Sequence, residues 1–153
     1  MRDRNARVLE HLCCVLEGKG DRTTNAERVA ELIGRSGGYR WVGIYEVQGD
    51  EIAAVAWSGQ GEPAHPRFLT SQGLCGGAAR SGGTVAVGDL TRDARYLTTF
   101  GGTRSEIVVP VRHSATRAVL GLIDVESERL NAFADDDRGF LEKCASGLTC
   151  LWE

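Results

Sequence analysis

The hydrophobic period of this chain changes twice, and those two changes restrict its fold more than any other feature of its 153 residues. Over residues 4–17, Val8, Leu12, Val15 and Leu16 recur at helical spacing, with Leu9 and Cys13 widening the stripe. Gly18-Lys19-Gly20 stops this helix, and Thr24-Asn25-Ala26-Glu27 reads as a capping box that opens a second one. The second helix carries Ala26, Val29, Ala30 and Ile33 on one face and ends at Gly34 or at Gly37-Gly38. From residue 40 onward the period drops to two. Residues 40–47 and 51–57 read as strands around the turn Gln48-Gly49-Asp50, and residues 105–113 and 118–127 form a second hairpin. Brief strands are expected at 67–70 and 84–87, with a short helix of small residues at 73–80. The helical period returns at the end, where Phe140, Leu141, Cys144, Leu148 and Leu151 share a face and Asp135 is the expected cap, with Phe133 as a hydrophobic staple.

Hairpins at both ends of the strand set require an antiparallel sheet. The expected class is therefore α+β, one domain over residues 1–153, with a central antiparallel sheet of about six strands. The helices at the two chain ends cover one face. The Gly- and Pro-rich stretch 58–66, the small helix and the long irregular segment 88–104 cover the other. A pocket between sheet and loops follows from that packing, and loops as long as 88–104 are usually functional lids or disordered.

Three acids fall on that covered side. Side chains alternate along a strand, so Asp124 and Glu126 in Leu122-Ile123-Asp124-Val125-Glu126 point the same way. Glu106 in Ser105-Glu106-Ile107-Val108 joins them if the two strands pair. Buried carboxylates are costly without a partner charge or hydrogen bonds, which makes the patch a candidate ligand pocket. A surface-exposed acidic face and a Mg²⁺ or Ca²⁺ site are the competing readings of the same residues. No motif places His65 or His113 with the acids, and His65, between Pro63 and Pro66, reads as a solvated loop residue. Trp41 and Tyr45 lie four apart on one strand face, as core or as pocket wall.

A net charge of −3 argues against a nucleic-acid surface, which needs clustered Lys and Arg. No apolar run reaches the length of a membrane span, and Met1-Arg2-Asp3-Arg4 has no secretory core, so the expected location is cytoplasmic. The five cysteines (Cys13, Cys14, Cys75, Cys144 and Cys150) show no paired metal or redox spacing. Four of them read as reduced thiols packed as small hydrophobes. Cys75 stands near the start of the short helix, where the positive end of the dipole can lower a thiol pKa; the favoured reading is a small packing residue between glycines, with a functional thiol as the alternative.

Taken in order, Trp41-Val42-Gly43-Ile44-Tyr45, Gln60-Gly61, Gly73-Leu74-Cys75-Gly76, Ser105-Glu106-Ile107-Val108-Val109-Pro110, Leu120-Gly121-Leu122-Ile123-Asp124-Val125-Glu126-Ser127 and Phe133-Ala134-Asp135-Asp136-Asp137 carry a resemblance. The chain resembles a GAF domain over nearly its full length, and within that superfamily it is similar to the free methionine-R-sulfoxide reductases. The resemblance implies that Glu106, Asp124 and Glu126 hold the polar end of an amino-acid substrate beside Trp41 and Tyr45. It also implies three loop cysteines, of which Cys75 is present. The other two positions hold His65, ten residues before Cys75, and Thr99, seven before Glu106 and at the place of the attacking thiol. A threonine hydroxyl forms no sulfenic acid, the intermediate this reduction requires. Three readings stay open: a non-catalytic binding module for an amino-acid-like or amine ligand, a reductase-like enzyme using Cys75 with an external thiol, and a dimerisation module. The expected partners are a small molecule and a second copy of the chain, with no nucleic acid, membrane, metal or cofactor.

Overall fold

A computed structural model of the chain describes residues 2–18, 20–97 and 101–153. Two helices, α1 (Arg2–Glu17) and α2 (Arg22–Gly37), precede a hairpin of β1 (Trp41–Gln48) and β2 (Glu51–Gly59). Then come β3 (Arg67–Leu69), the small helix α3 (Gly73–Ser81) and β4 (Val85–Val87). A 3₁₀ turn at Leu90–Arg92 leads to the second hairpin, β5 (Ser105–Arg112) and β6 (Val119–Ser127), and α4 (Asp135–Gly147) closes the fold. The six strands form one sheet in the order β3-β2-β1-β6-β5-β4, and every pairing is antiparallel. Among the described residues no helix is long and apolar enough to cross a membrane.

Helix starts differ from the sequence reading by a few residues. Asp21, not Thr24, caps α2: its carboxylate accepts from the Thr24 amide at 2.8 Å, so the helix begins three residues earlier. Gly38, in the left-handed region at φ 62°, ends it, as a residue without Cβ does most cheaply. In α4 the cap position is Ala134 rather than Asp135, and Asp137 reaches back to accept from the Ala134 amide at 2.9 Å. The Asp137 carboxylate also accepts from the Tyr39 hydroxyl at 3.0 Å, which ties the start of α4 to the end of α2.

The strict alternation of β1, β5 and β6 sorts the interior into two layers. Val42, Ile44, Ile107, Val109, Val111, Ile123 and Val125 face the terminal helices, where they meet Leu12, Val29, Ile33, Leu141 and Leu148 in the larger core. The opposite row, with Trp41, Tyr45, Val108 and Leu122, faces α3 and the loops and packs against Leu74, Cys75, Ala78 and Leu90. The expected division of the two sheet faces therefore holds, and it puts the chamber on the α3 side.

Candidate functional site

The strand register fixes the acids before any side chain is considered. Glu106 on β5 stands directly opposite Glu126 on β6, and Glu126 stands opposite Trp41 on β1. Asp124 is one step along the same face, opposite Val108 on one side and Gly43 on the other, and so diagonal to Glu106. All three carboxylates are buried: Glu106 is 4% exposed, Asp124 2% and Glu126 0%. The solvated-face reading of these residues is thereby excluded, because opposed like charges on a buried sheet are unfavourable unless they are neutralised or partnered.

Gly43 opens the space beside Asp124. A Cβ there would lie 2.3 Å from the Trp41 ring and 2.9 Å from the Tyr45 ring, so both aromatics lean over the bare backbone. They form one wall with Phe68 of β3. The Trp41 and Tyr45 centroids are 6.3 Å apart, and Tyr45 meets Phe68 edge-on at 5.8 Å. The Trp41 indole N–H donates to the Gly61 carbonyl at 3.2 Å, fixing the 58–66 loop against the wall.

The roof comes from the loops and α3. Tyr45, His65, Phe68, Gly73, Leu74, Cys75, Leu97, Glu106 and Asp124 enclose a space of about 20 Å³, room for a single water. The 88–104 segment is pinned at several points. Asp89 accepts from the Thr91 amide at 3.1 Å, the buried Leu90 donates its amide to the Arg104 carbonyl at 2.9 Å, and the Tyr96 hydroxyl donates to Glu126 Oε1 at 3.2 Å. Arg40, ion-paired with Glu128 at 2.9 Å, also donates to the Gly101 carbonyl at 2.9 Å. Thr99, the position matched to an attacking thiol, lies outside the described residues.

Two placements add to the sequence reading. His65 is exposed in its loop, as expected, and it also lines the chamber together with Glu106 and Asp124. Cys75 does sit in the first turn of α3, but its thiol pKa is pushed well above the ordinary value, not lowered. Burial is the main cause, followed by the negative charges of Asp124, Glu106 and Glu126. One short helix dipole is outweighed by desolvation and three nearby carboxylates. Cys144 is buried as expected of a small hydrophobe, whereas Cys13, Cys14 and Cys150 are exposed.

The acids share a proton economy. Burial, then the charge of Asp124, pushes the Glu106 carboxyl well above its usual range, and its hydrogen bond to Asp124 favours the protonated form. Asp124 is also raised by burial, with opposing contributions from the hydrogen bonds of Glu106 and Cys75. Glu106 is thus the proton holder of the pair and Asp124 the acceptor. Tyr45 keeps its phenolic proton, its pKa raised by burial and by the same anions. Among the described residues, neither Glu106 nor Asp124 has an ion-pair partner, and Asp124 Oδ1 has no donor. Sequence reasoning missed Phe68, Tyr96 and Leu97. An aromatic in a three-residue edge strand and two apolar residues in a loop give no periodic signal.

Residues 21–148 match the GAF domain family, and the chain belongs to it. A free methionine-R-sulfoxide reductase of Saccharomyces cerevisiae is 33% identical over 106 residues, which cover 69% of this chain and 58% of that enzyme. The structure of a free methionine-R-sulfoxide reductase from Neisseria meningitidis, in complex with its substrate, superposes with a TM-score of 0.87 at 29% identity, covering 97% of this chain and 87% of that one. A GAF sensor protein from Burkholderia vietnamiensis superposes equally well, with a TM-score of 0.87 at 28% identity and coverage of 97% and 92%. The fold thus has reductases and sensors among its neighbours.

Proposed function

We propose that this GAF domain is a non-catalytic binding module for a small amino-acid-like or amine ligand, held at Glu106, Asp124 and Glu126 with Trp41 and Tyr45 as the wall. One observation carries the reading: buried carboxylates with raised pKa values converge on a chamber where Glu106 and Asp124 meet no cation among the described residues. An ammonium group supplies that missing charge. Its arrival favours the ionised acids, so binding expels protons that the empty site retains. The aromatic wall supplies apolar and cation-π contact for the rest of the ligand. With only about 20 Å³ enclosed, Leu97 and His65 have to move aside to admit such a molecule.

The alternative is a reductase-like enzyme in which Cys75 attacks and an external thiol resolves the product. Its support is the place of Cys75 in the same chamber; its weakness is a thiol kept protonated by burial and neighbouring anions. The wider reading includes a cytoplasmic, signalling homodimer paired through its helices, which light scattering on the purified chain tests.

Calorimetric titration with free amino acids and simple amines, repeated in buffers of different ionisation enthalpy, tests the main reading. The expected result is binding with net proton release, weakened roughly ten- to hundredfold by Asp124→Asn, the loss of one charge-assisted hydrogen bond. Unchanged affinity in that variant, or reduction of free methionine-R-sulfoxide that vanishes in Cys75→Ser, overturns it.

A further inference from the structure

We propose that Cys75, Glu106 and Asp124 form a binding site for one divalent transition-metal ion of the zinc class. Cys75 Sγ, a Glu106 carboxylate oxygen and an Asp124 carboxylate oxygen lie within 4.8 Å of one another, and all three residues are buried. A tetrahedral zinc ion with bonds of about 2.0–2.3 Å places neighbouring donors roughly 3.5 Å apart. The three side chains therefore need shifts of about 1 Å or less to close on an ion, with no change of backbone.

Three independent features of the chamber point to an ion. Asp124 Oδ1 is buried and has no donor, although its residue faces the enclosed space. That space, about 20 Å³, suits a single ion or water and is too small for an organic molecule in the closed conformation. The donor set also selects among metals. A thiolate with two carboxylates favours a borderline-soft ion, whereas Ca²⁺ requires six to eight oxygens, which this chamber does not gather. The fourth position falls to water or to His65, which lines the same space from the mouth.

Binding balances as a proton exchange. The Cys75 S–H bond and the proton held on Glu106 are replaced by bonds to the metal, the protons leave to solvent, and no electron is transferred. The groups facing the ion are Tyr45, Glu126 and His65, with the Tyr96 hydroxyl already donated to Glu126. Affinity therefore rises with pH. This inference does not rest on the amine reading. It is tested with metal alone, although the two ligands would compete for Glu106 and Asp124.

The test uses the full chain carrying Cys13→Ser, Cys14→Ser and Cys150→Ser, so that no exposed thiol competes. After chelator treatment, the protein is titrated with Co²⁺ and the cobalt is displaced with Zn²⁺. The expected result is one equivalent bound with a thiolate-to-cobalt charge-transfer band. Cys75→Ser abolishes the band, and Asp124→Asn weakens binding at least tenfold, on the order of losing one ligand. A band that persists in Cys75→Ser, or no thiolate band in the parent, overturns the proposal. Cadmium NMR of the parent needs no chamber variant: a resonance characteristic of one sulfur ligand supports the site, and one characteristic of oxygen and nitrogen alone refutes it.

Discussion

The raised pKa of Glu106 predicts that the ligand-free protein loses stability as the pH rises, the reverse of ordinary paired carboxylates. In the unfolded chain a glutamate releases its proton near its ordinary value of 4.5, while folded Glu106 keeps it well above that. Across the interval between these two values the native state binds more protons than the unfolded state. Its stability contribution is present in full below the unfolded value and is lost as the pH climbs toward the folded one. Each pH unit through which the native state retains one extra proton costs about 1.4 kcal/mol. For a domain of this size, 1 kcal/mol moves Tm by about 2–4 °C, so each such unit lowers Tm by roughly 3–6 °C. The perturbation is Glu106→Gln, which preserves shape and a donor toward Asp124 but cannot ionise. Denaturant unfolding is measured for both proteins from about pH 5 to about pH 8, well past the unfolded carboxylate range. The two should agree within about 1 kcal/mol at the acid end, and the variant should be the more stable at the alkaline end. Asp124, also raised, leaves a residual slope in the variant. Wild-type stability that rises across this window, or a glutamine variant that is weaker at its upper end, would refute the reasoning.

Thiol accessibility supplies a second check. A soluble disulfide reagent should modify Cys13, Cys14 and Cys150 quickly and reach Cys75 and Cys144 only on unfolding, as counted by intact mass. Rapid labelling of Cys75 would mean that the roof is open. Gly43→Ala places a methyl group between the Trp41 and Tyr45 rings and should cost about 1–3 kcal/mol by denaturant unfolding. Unaltered stability would show that the aromatics do not close over that strand.

The sheet and its acids were legible because strands announce themselves. Period-two alternation in residues 40–47, 105–113 and 118–127 fixed which side chains share a face, and hairpin pairing then brought Glu106 to Glu126 without further information. Helix caps were less legible. Thr24, three residues before Glu27, heads the capping box visible in the sequence, yet Asp21 caps the helix, and the first turn of α2 carries no apolar residue to mark the earlier start. The roof was least legible. His65, Tyr96 and Leu97 lie in loops whose path is set by contacts such as Tyr96 to Glu126 and Trp41 to Gly61, which join distant parts of the chain. For Cys75 the packing reading holds, since it is buried in the α3-side core, and only the lowered thiol pKa that its helix position allowed does not. Helix position is visible in sequence, whereas burial beside three carboxylates is a property of the assembled sheet.

The alternation that builds the chamber also limits how this protein can change. On β5 and β6 the even-numbered positions 106, 108, 122, 124 and 126 lie on the α3 side of the sheet, with Glu106 and Asp124 lining the chamber itself, and the odd-numbered 107, 109, 111, 123 and 125 look toward the terminal helices. Adding or deleting one residue within either ribbon would swap the two sets. Carboxylates would be driven against Ile33 and Leu141, and isoleucine and valine would line the cavity. Chain length is thus frozen on the floor of the site and free only in its ceiling, so a new ligand preference has to be written by substitution at the chamber-side positions, even on β5 and β6 and odd at 41, 43 and 45 on β1, or by rebuilding the loops above them.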